Sequence, residues 1–187
     1  MSDAEIGYDV VVVGSGAAGF AAAITARLRG LTALIVEKTD QYGGSTALSG
    51  GAIWVPGNFH LDAAGLGDTY EKARAYLDAT VGDRVPADRK DASLRHGPRM
   101  VREFHDRTAV RFMYTPGYSD YFPEALGGMA QGRSAEPCVV DLKELGPLAR
   151  DLRRAGVPTY GLTMTSYDFR FLNMVARTWA GKRRSLR

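Results

Sequence analysis

The chain has 187 residues, of which 45% are hydrophobic and 24% charged, a composition typical of globular proteins rather than disordered, collagen-like or membrane chains. The net charge of +3 arises at the carboxyl end, where Lys182, Arg183, Arg184 and Arg187 contribute four of the 24 basic side chains. The remainder carries 20 basic and 21 acidic side chains. Charge therefore gives no reason to expect nucleic acid or an acidic membrane as a partner.

A single cysteine, Cys138, excludes an intrachain disulfide and the cysteine-rich metal motifs. His60, His96 and His105 are not spaced as metal ligands, so we expect no metal site. No segment approaches the roughly 18 consecutive apolar residues of a transmembrane helix. The amino terminus has acidic residues where a signal peptide needs basic ones. We therefore expect a cytoplasmic protein without a transmembrane segment.

The amino-terminal region predicts a strand, a helix and a second strand in succession. The run from Tyr8 to Val13 is β-branched and continuous, which is typical of a parallel strand covered on both faces. Helix-forming residues, mostly alanine, follow from Ala17 to Arg29, Gly30 ends the helix, and Thr32 to Val36 predicts the next strand. One helix joining two parallel strands makes a right-handed βαβ unit, so the predicted class is α/β with a doubly wound parallel sheet.

Beyond residue 67 the patterns predict helices, one strand and a long loop. Asp68 with Glu71 resembles a capping box at the start of the first helix, and Gly97-Pro98 is expected to break or kink the second. Because only two convincing parallel strands are present, the sheet is expected to be incomplete. The predicted elements are helices over about 68–81, 88–107, 143–154 and 166–180, a strand over 110–114, and a loop over 115–141.

The turn after the first strand predicts a dinucleotide site. Gly14-Ser15-Gly16-Ala17-Ala18-Gly19 has the pattern G-x-G-x-x-G, placed directly between a strand and a helix. The first glycine permits a tight turn, the second lets a pyrophosphate approach the backbone, and the third lets the helix pack close to the strand. Glu37 follows the second strand, where its carboxylate is placed to accept both hydroxyls of an adenosine ribose. The same carboxylate would repel a 2′-phosphate, which argues against NADP.

A second glycine-rich and hydroxyl-rich segment lies just beyond the second strand, from Gly43 to Gly51. Twelve of the 22 glycines fall within the first 67 residues, which indicates that the backbone of this region has a specific function. Simple nicotinamide-binding domains have no such second turn. A ligand with a long ribityl diphosphate and a tricyclic ring would need this additional strip of backbone donors.

Several short motifs lie along the chain from Asp9 to about Asp141. They are Glu37-Lys38-Thr39, Ser49-Gly50-Gly51, Ile53-Trp54-Val55-Pro56, the stretch from Pro116 to Glu124, Gly127-Gly128, Gly132-Arg133 and Glu136-Pro137. With these motifs the chain resembles the FAD-dependent fumarate reductase and succinate dehydrogenase flavoprotein superfamily, and within it the 3-ketosteroid Δ1-dehydrogenase branch. The resemblance implies a Rossmann-like FAD-binding βαβ start, followed by a helical and loop-rich part of a second, substrate domain.

The resemblance also implies a reaction and a set of site residues. The expected reaction is dehydrogenation of a 3-ketosteroid or related cyclic ketone, with Tyr121 as a catalytic residue and the electron acceptor left open. Ser45 occupies the position where succinate dehydrogenases carry a flavin-linking histidine, so FAD is expected to be bound non-covalently. The expected FAD-binding residues are Gly14, Ser15, Gly16, Ala17, Ala18, Gly19, Glu37, Lys38, Gly43, Gly44, Ser45, Thr46, Ser49, Gly50 and Gly51.

The expected organisation is the amino-terminal part of an FAD-binding domain over residues 1–67 and part of a helical, substrate-side region over 68–187. The family has further strands and catalytic positions beyond this length, so the chain is expected to be truncated and inactive alone. Two alternatives stay open. One is an enoate reductase resembling fumarate reductase, and the other is a non-catalytic nucleotide-binding fragment or subunit that acts through a partner.

Overall fold

Two parallel strands joined by one helix form the amino-terminal part of the fold. The computed structural model describes residues 7–154, in which β1 is Val10–Val13, α1 is Ala17–Leu28 and β2 is Ala33–Val36. The two strands pair in parallel along their whole length. The predicted βαβ unit and the α/β class are confirmed, with strands somewhat shorter than the apolar runs that predicted them.

One face of this two-stranded sheet is open within residues 7–154. Helix α1 packs against both strands, and the side chains of β1 alternate between half-buried and exposed. Val11 is 58% exposed and Val13 is 86% exposed. Since a parallel sheet normally has both faces covered, these valines agree with the expected incomplete sheet.

The described residues divide into two compact units, one made of 7–51 with 140–154 and the other of 52–139. The sequence predicted a boundary after residue 67 instead, because the short strand at the start of the second unit has no strong hydrophobic pattern. The functional assignment of 1–67 and 68–187 stays a prediction. The elements of the second unit are β3 Ile53–Trp54, α2 Phe59–Ala63, α3 Tyr70–Thr80, α4 Ala87–Arg107, β4 Phe112–Tyr114 and β5 Ser134–Pro137.

An antiparallel sheet with the strand order β3-β5-β4 lies in the second unit. The predicted loop over 115–141 was therefore wrong in part, because it contains the central strand β5. Strands β3 and β5 and helix α2 were missed, since two- to five-residue elements show too little periodicity to be recognised. The side chains of Leu61, Ala73, Val101 and Ala135, from α2, α3, α4 and β5, are fully buried in the core of this unit.

The helices also differ from their predictions in detail. The side chain of Thr69, not Asp68, caps α3 by accepting a hydrogen bond from the Lys72 backbone N–H at 3.2 Å. Helix α4 continues through Pro98 without ending there. The helix predicted over 143–154 is instead a 3₁₀ segment over Leu142–Arg150, interrupted at Gly146, whose φ is 54°. The helix predicted over 166–180 lies outside the described residues.

A buried arginine joins distant segments of the second unit. The guanidinium of Arg133 donates two hydrogen bonds of 3.0 Å to Asp68, one to Asp120 and one of 2.7 Å to the Gly127 carbonyl oxygen. The side chains of Arg133, Asp68 and Asp120 are completely buried. The guanidinium also lies 5.7 Å from the centre of the Trp54 ring. These contacts fix the loop between β4 and β5 to the start of α3.

Replacing Arg133 with alanine is expected to destabilise the chain by about 3–5 kcal/mol, because two buried carboxylates lose their shared cation. The measurement is the free energy of unfolding from urea denaturation. The control is Arg150→Ala, which removes an exposed ion pair with Asp151 and should cost no more than about 1 kcal/mol. Equal losses in the two variants would show that the Arg133 cluster contributes no more than a surface pair.

Candidate functional site

The turn between β1 and α1 forms one wall of a cavity at the carboxyl ends of the two parallel strands. Gly14 adopts a φ of +97°, which favours glycine, and its N–H donates to the Val36 carbonyl oxygen at 2.7 Å. A Cβ added to Gly19 would lie 2.0 Å from the Gly14 carbonyl oxygen. Only glycine therefore lets α1 begin this close to the turn, as the motif predicted.

Ser15 connects three segments of this cavity. Its backbone N–H and its hydroxyl both donate to Oε2 of Glu37, at 3.1 and 2.6 Å. The same hydroxyl oxygen accepts a hydrogen bond of 3.0 Å from the Gly43 backbone N–H. The buried serine thus holds the first glycine turn, the end of β2 and the second glycine turn together.

The carboxylate of Glu37 is held in its ionised form. Hydrogen bonds from the Ser15 side chain and then its backbone lower the Glu37 pKa from its ordinary 4.5 to about 2, while desolvation opposes this shift. Oε1 accepts from the Lys38 N–H at 2.9 Å and, more weakly, from Thr39 at 3.3 and 3.4 Å. Since a carboxylate has about four acceptor positions, a ribose hydroxyl would displace the long Thr39 bonds first.

The second glycine turn lies directly against the first. The Ala17 N–H, at the start of α1, donates to Oγ1 of Thr46 at 3.0 Å. A Cβ added to Gly44 would lie 3.1 Å from the Cα of Gly16, so a side chain there would enter the space between the turns. The cavity that remains has a volume of about 380 Å³. Its lining includes Arg153, which the sequence analysis did not select and which lies more than a hundred residues away along the chain.

The predicted cofactor-binding residues have three different placements. Those that line the cavity are Gly14, Ser15, Gly16, Glu37, Lys38, Gly44 and Ser45. Those that support it from behind or beside it are Ala17, Gly19, Gly43 and Thr46. Those that do not line it are Ala18, on the exposed side of α1, and Ser49, Gly50 and Gly51, which follow the 3₁₀ turn over Thr46–Leu48.

Tyr121 lies at a separate cavity of about 310 Å³ within the second unit. Tyr121 is 89% exposed, and Tyr118 also lines this cavity. The carboxylate of Asp120 accepts from the Trp54 indole N–H at 2.8 Å and from the Met129 N–H at 3.0 Å. The backbone next to Tyr121 is therefore fixed, while the tyrosine ring projects into open space.

Residues 7–154 contain neither a metal-binding cluster nor a membrane-spanning helix. Within that range no group of three or more His, Cys, Asp or Glu side chains is arranged to hold a metal ion. None of the helices in the same range is long and apolar enough to cross a membrane. Cys138 is a half-buried free thiol.

The chain is similar to known proteins in sequence and in structure. Residues 9–183 match the FAD binding domain family. The 3-oxosteroid 1-dehydrogenase of Mycolicibacterium smegmatis is 45% identical over 185 residues, which cover 96% of this chain and 32% of that protein. The 4-oxocyclohexanecarboxylate 2-dehydrogenase of Sinomonas cyclohexanicum is 35% identical over 162 residues, with 86% and 28% covered.

The chain is also similar to a solved structure of the same kind of enzyme. The 3-ketosteroid Δ1-dehydrogenase from Sterolibacterium denitrificans, crystallised with 1,4-androstadiene-3,17-dione, matches with a TM-score of 0.83 and 34% identity, covering 92% of this chain and 31% of that one. The chain belongs to the FAD binding domain family and is homologous to the 3-oxosteroid 1-dehydrogenases. It spans about a third of the length of these relatives.

The family implies FAD as the cofactor, and the first cavity suits such a group. It combines the start of a helix, whose N–H groups and dipole favour phosphate, with an ionised carboxylate at Glu37 that suits ribose hydroxyls. The glycine at position 44 keeps the space between the two turns free of a side chain. The donors and acceptors needed for an adenosine diphosphate are thus present on one unit.

Replacing Ser15 with alanine should raise the pKa of Glu37 from about 2 towards 4.5, because the largest stabilising hydrogen bond is lost. In the parent chain the lowered pKa adds stability that is complete above pH 4.5 and is lost as the pH falls towards 2. The measurement is an NMR titration of the Glu37 carboxyl carbon. Ser49→Ala, a serine outside the cavity, is the control, and an unchanged Glu37 pKa in the Ser15 variant would contradict the assignment.

Proposed function

We propose that the protein dehydrogenates a 3-ketosteroid or a related cyclic ketone with FAD as the electron acceptor. The observation that carries this proposal is 45% identity to a 3-oxosteroid 1-dehydrogenase over 96% of the chain. The proposal concerns the whole protein, since the chain spans about a third of that relative. We propose further that these 187 residues alone do not turn over substrate.

The reaction removes a proton from the carbon next to the ketone and a hydride from the neighbouring carbon, and a double bond forms between the two carbons. FAD, when bound, supplies the two-electron acceptor for the hydride. A base must take the proton, and a tyrosine suits this task when its phenolate is stabilised by a neighbouring hydroxyl. We propose that Tyr121, exposed at the second cavity, supplies that hydroxyl to the base.

Tyr121 is assigned to assisting the base that removes the α-proton, by donating a hydrogen bond that stabilises the phenolate form of that base. Tyr118 lies at the same cavity. Burial, the adjacent Tyr121 and the charge of Glu136 raise the pKa of Tyr118 above its ordinary value of 10, so we expect Tyr118 to pack against the cavity rather than to take part in the chemistry.

The cofactor is proposed to be held by the first cavity without a covalent bond. Glu37 binds the adenosine ribose, the turn from Gly14 to Gly16 faces the phosphates, and Lys38 and Ser45 complete the wall. Ser45 offers a hydroxyl rather than the histidine that links flavin covalently in related enzymes. FAD is therefore expected to leave the protein on acid precipitation.

A smaller cyclic ketone is the second candidate substrate. The similarity to 4-oxocyclohexanecarboxylate 2-dehydrogenase, at 35% identity over 86% of the chain, favours it. Both candidates require the same chemistry beside a ketone. They differ in the size of the molecule that lies against the second cavity, so parallel assays with a 3-ketosteroid and with 4-oxocyclohexanecarboxylate separate them.

In the active whole protein, Tyr121→Phe should lower turnover by roughly 10²- to 10⁴-fold, because the ring stays and only the hydroxyl is lost. The measurement is steady-state turnover of a 3-ketosteroid with an artificial electron acceptor, together with flavin content and melting temperature. The matched control is Tyr8→Phe, an exposed tyrosine in the first unit. Near-normal turnover with intact flavin would remove Tyr121 from the chemistry, whereas flavin loss would show a structural role.

Glu37→Ala should weaken FAD binding by roughly tenfold or more, since it removes charge-assisted hydrogen bonds to the ribose. Titration of flavin-free protein with FAD, followed by flavin fluorescence, measures the dissociation constant. Asp40→Ala removes an exposed carboxylate that does not line the cavity and serves as the control. Equal affinity in the Glu37 variant and the parent protein would exclude the ribose role.

A further inference from the structure

Arg153 reaches the first cavity through a short parallel pairing with the second glycine turn. Tyr42 pairs with Leu152 in a parallel bridge. The Tyr42 N–H donates to the Asp151 carbonyl oxygen at 2.9 Å, and the Arg153 N–H donates to the Tyr42 carbonyl oxygen, also at 2.9 Å. The backbone on either side of residue 152 is thus fixed beside Gly43, and the side chain of Arg153 enters the cavity wall.

One donor of the Arg153 guanidinium has no acceptor among residues 7–154. Its Nε is buried and makes no hydrogen bond with these residues. Within the same range, Nη2 makes one long contact of 3.4 Å with Oγ1 of Thr39. Buried polar groups are almost always hydrogen-bonded in native proteins, so an acceptor is expected to arrive from outside the described chain.

The charges that line the cavity indicate what kind of acceptor fits. Glu37 is ionised, with its pKa near 2, and Lys38 offsets its charge. Arg153 leaves one positive charge in excess on a wall that also contains the glycine turn. Within residues 7–154 no carboxylate oxygen lies within ion-pair distance of Arg153. An anionic oxygen of a ligand is the acceptor that satisfies both its hydrogen bonding and its charge.

We propose that Arg153 binds the diphosphate of the dinucleotide and sets much of the affinity for it. This inference rests on the dinucleotide role proposed for the same cavity. A guanidinium presents its N–H groups as a planar fork that matches two phosphate oxygens, which a lysine ammonium cannot do. The contact would join the segment after the 3₁₀ turn to the phosphates that the start of α1 already favours.

The test compares binding of ADP and adenosine to the flavin-free whole protein by isothermal titration calorimetry. ADP carries the diphosphate and adenosine does not. Arg153→Gln is expected to raise the dissociation constant for ADP by roughly tenfold or more and to leave adenosine binding unchanged. The salt dependence of ADP binding should also become shallower, because one charge contact is lost.

Arg150→Gln is the matched control, since Arg150 lies three residues away, is 86% exposed and pairs with Asp151. It should leave both dissociation constants unchanged. Unchanged ADP binding in Arg153→Gln would overturn the proposal, and so would equal losses for ADP and adenosine, which would place Arg153 against the nucleoside. Binding of neither ligand to the parent chain would overturn the dinucleotide site itself and this inference with it.

A second variant keeps the test decisive if Arg153→Gln does not fold, as judged by circular dichroism. Arg153→Lys preserves the charge and the backbone pairing but not the forked geometry. Its ADP affinity should fall severalfold while adenosine binding stays constant. An ADP affinity equal to that of the parent chain would then contradict the proposal.

Discussion

The packing of the second unit depends on the hydrogen bonds and ion pairs of the buried Arg133 guanidinium. A buried cation needs partners for its charge and its N–H groups, because otherwise the free-energy cost of removing it from water exceeds the gain from packing. Arg133 meets this demand with Asp68, Asp120 and the Gly127 carbonyl oxygen. Two carboxylates on one cation leave an excess negative charge. Three further N–H donors offset it, from Gly57 to Asp68 and from Trp54 and Met129 to Asp120.

The consequence for function lies in the position of Tyr121, next to one of these carboxylates. A loop with little secondary structure would normally present a side chain in many orientations. Here Asp120 is held by a cation, an indole and a backbone N–H, and the Phe122 N–H donates to the Tyr76 hydroxyl at 3.2 Å. The backbone is thus fixed on both sides of a tyrosine whose own ring is exposed. A fixed backbone with an open side chain suits the catalytic role that we propose for Tyr121.

The segments around the first cavity are held together by a neutral side chain rather than by a buried cation. The hydroxyl of Ser15 donates to Glu37 and accepts from Gly43, so one small group connects three segments. The sequence predicted the βαβ unit, the glycine turn and Glu37, because these features are local and their spacing follows from the geometry of one strand and one helix. It also predicted Ser49, Gly50 and Gly51 as FAD-binding residues; they do not line this cavity, and their role stays a prediction.

The two arginine contacts that sequence reasoning missed share one property, namely that the partners are far apart along the chain. Arg133 and Asp68 are separated by 65 residues, and Arg153 and Thr39 by 114. No periodic pattern couples such positions, and a lone arginine in a polar stretch is usually a solvated side chain. The structure distinguishes these two arginines by whether their buried groups have partners. Arg133 is buried with its charge partners, whereas the buried Nε of Arg153 has no hydrogen-bond partner among residues 7–154. A buried cation with all its partners stabilises the structure, and a buried donor without one at a cavity wall is where we propose that a ligand binds.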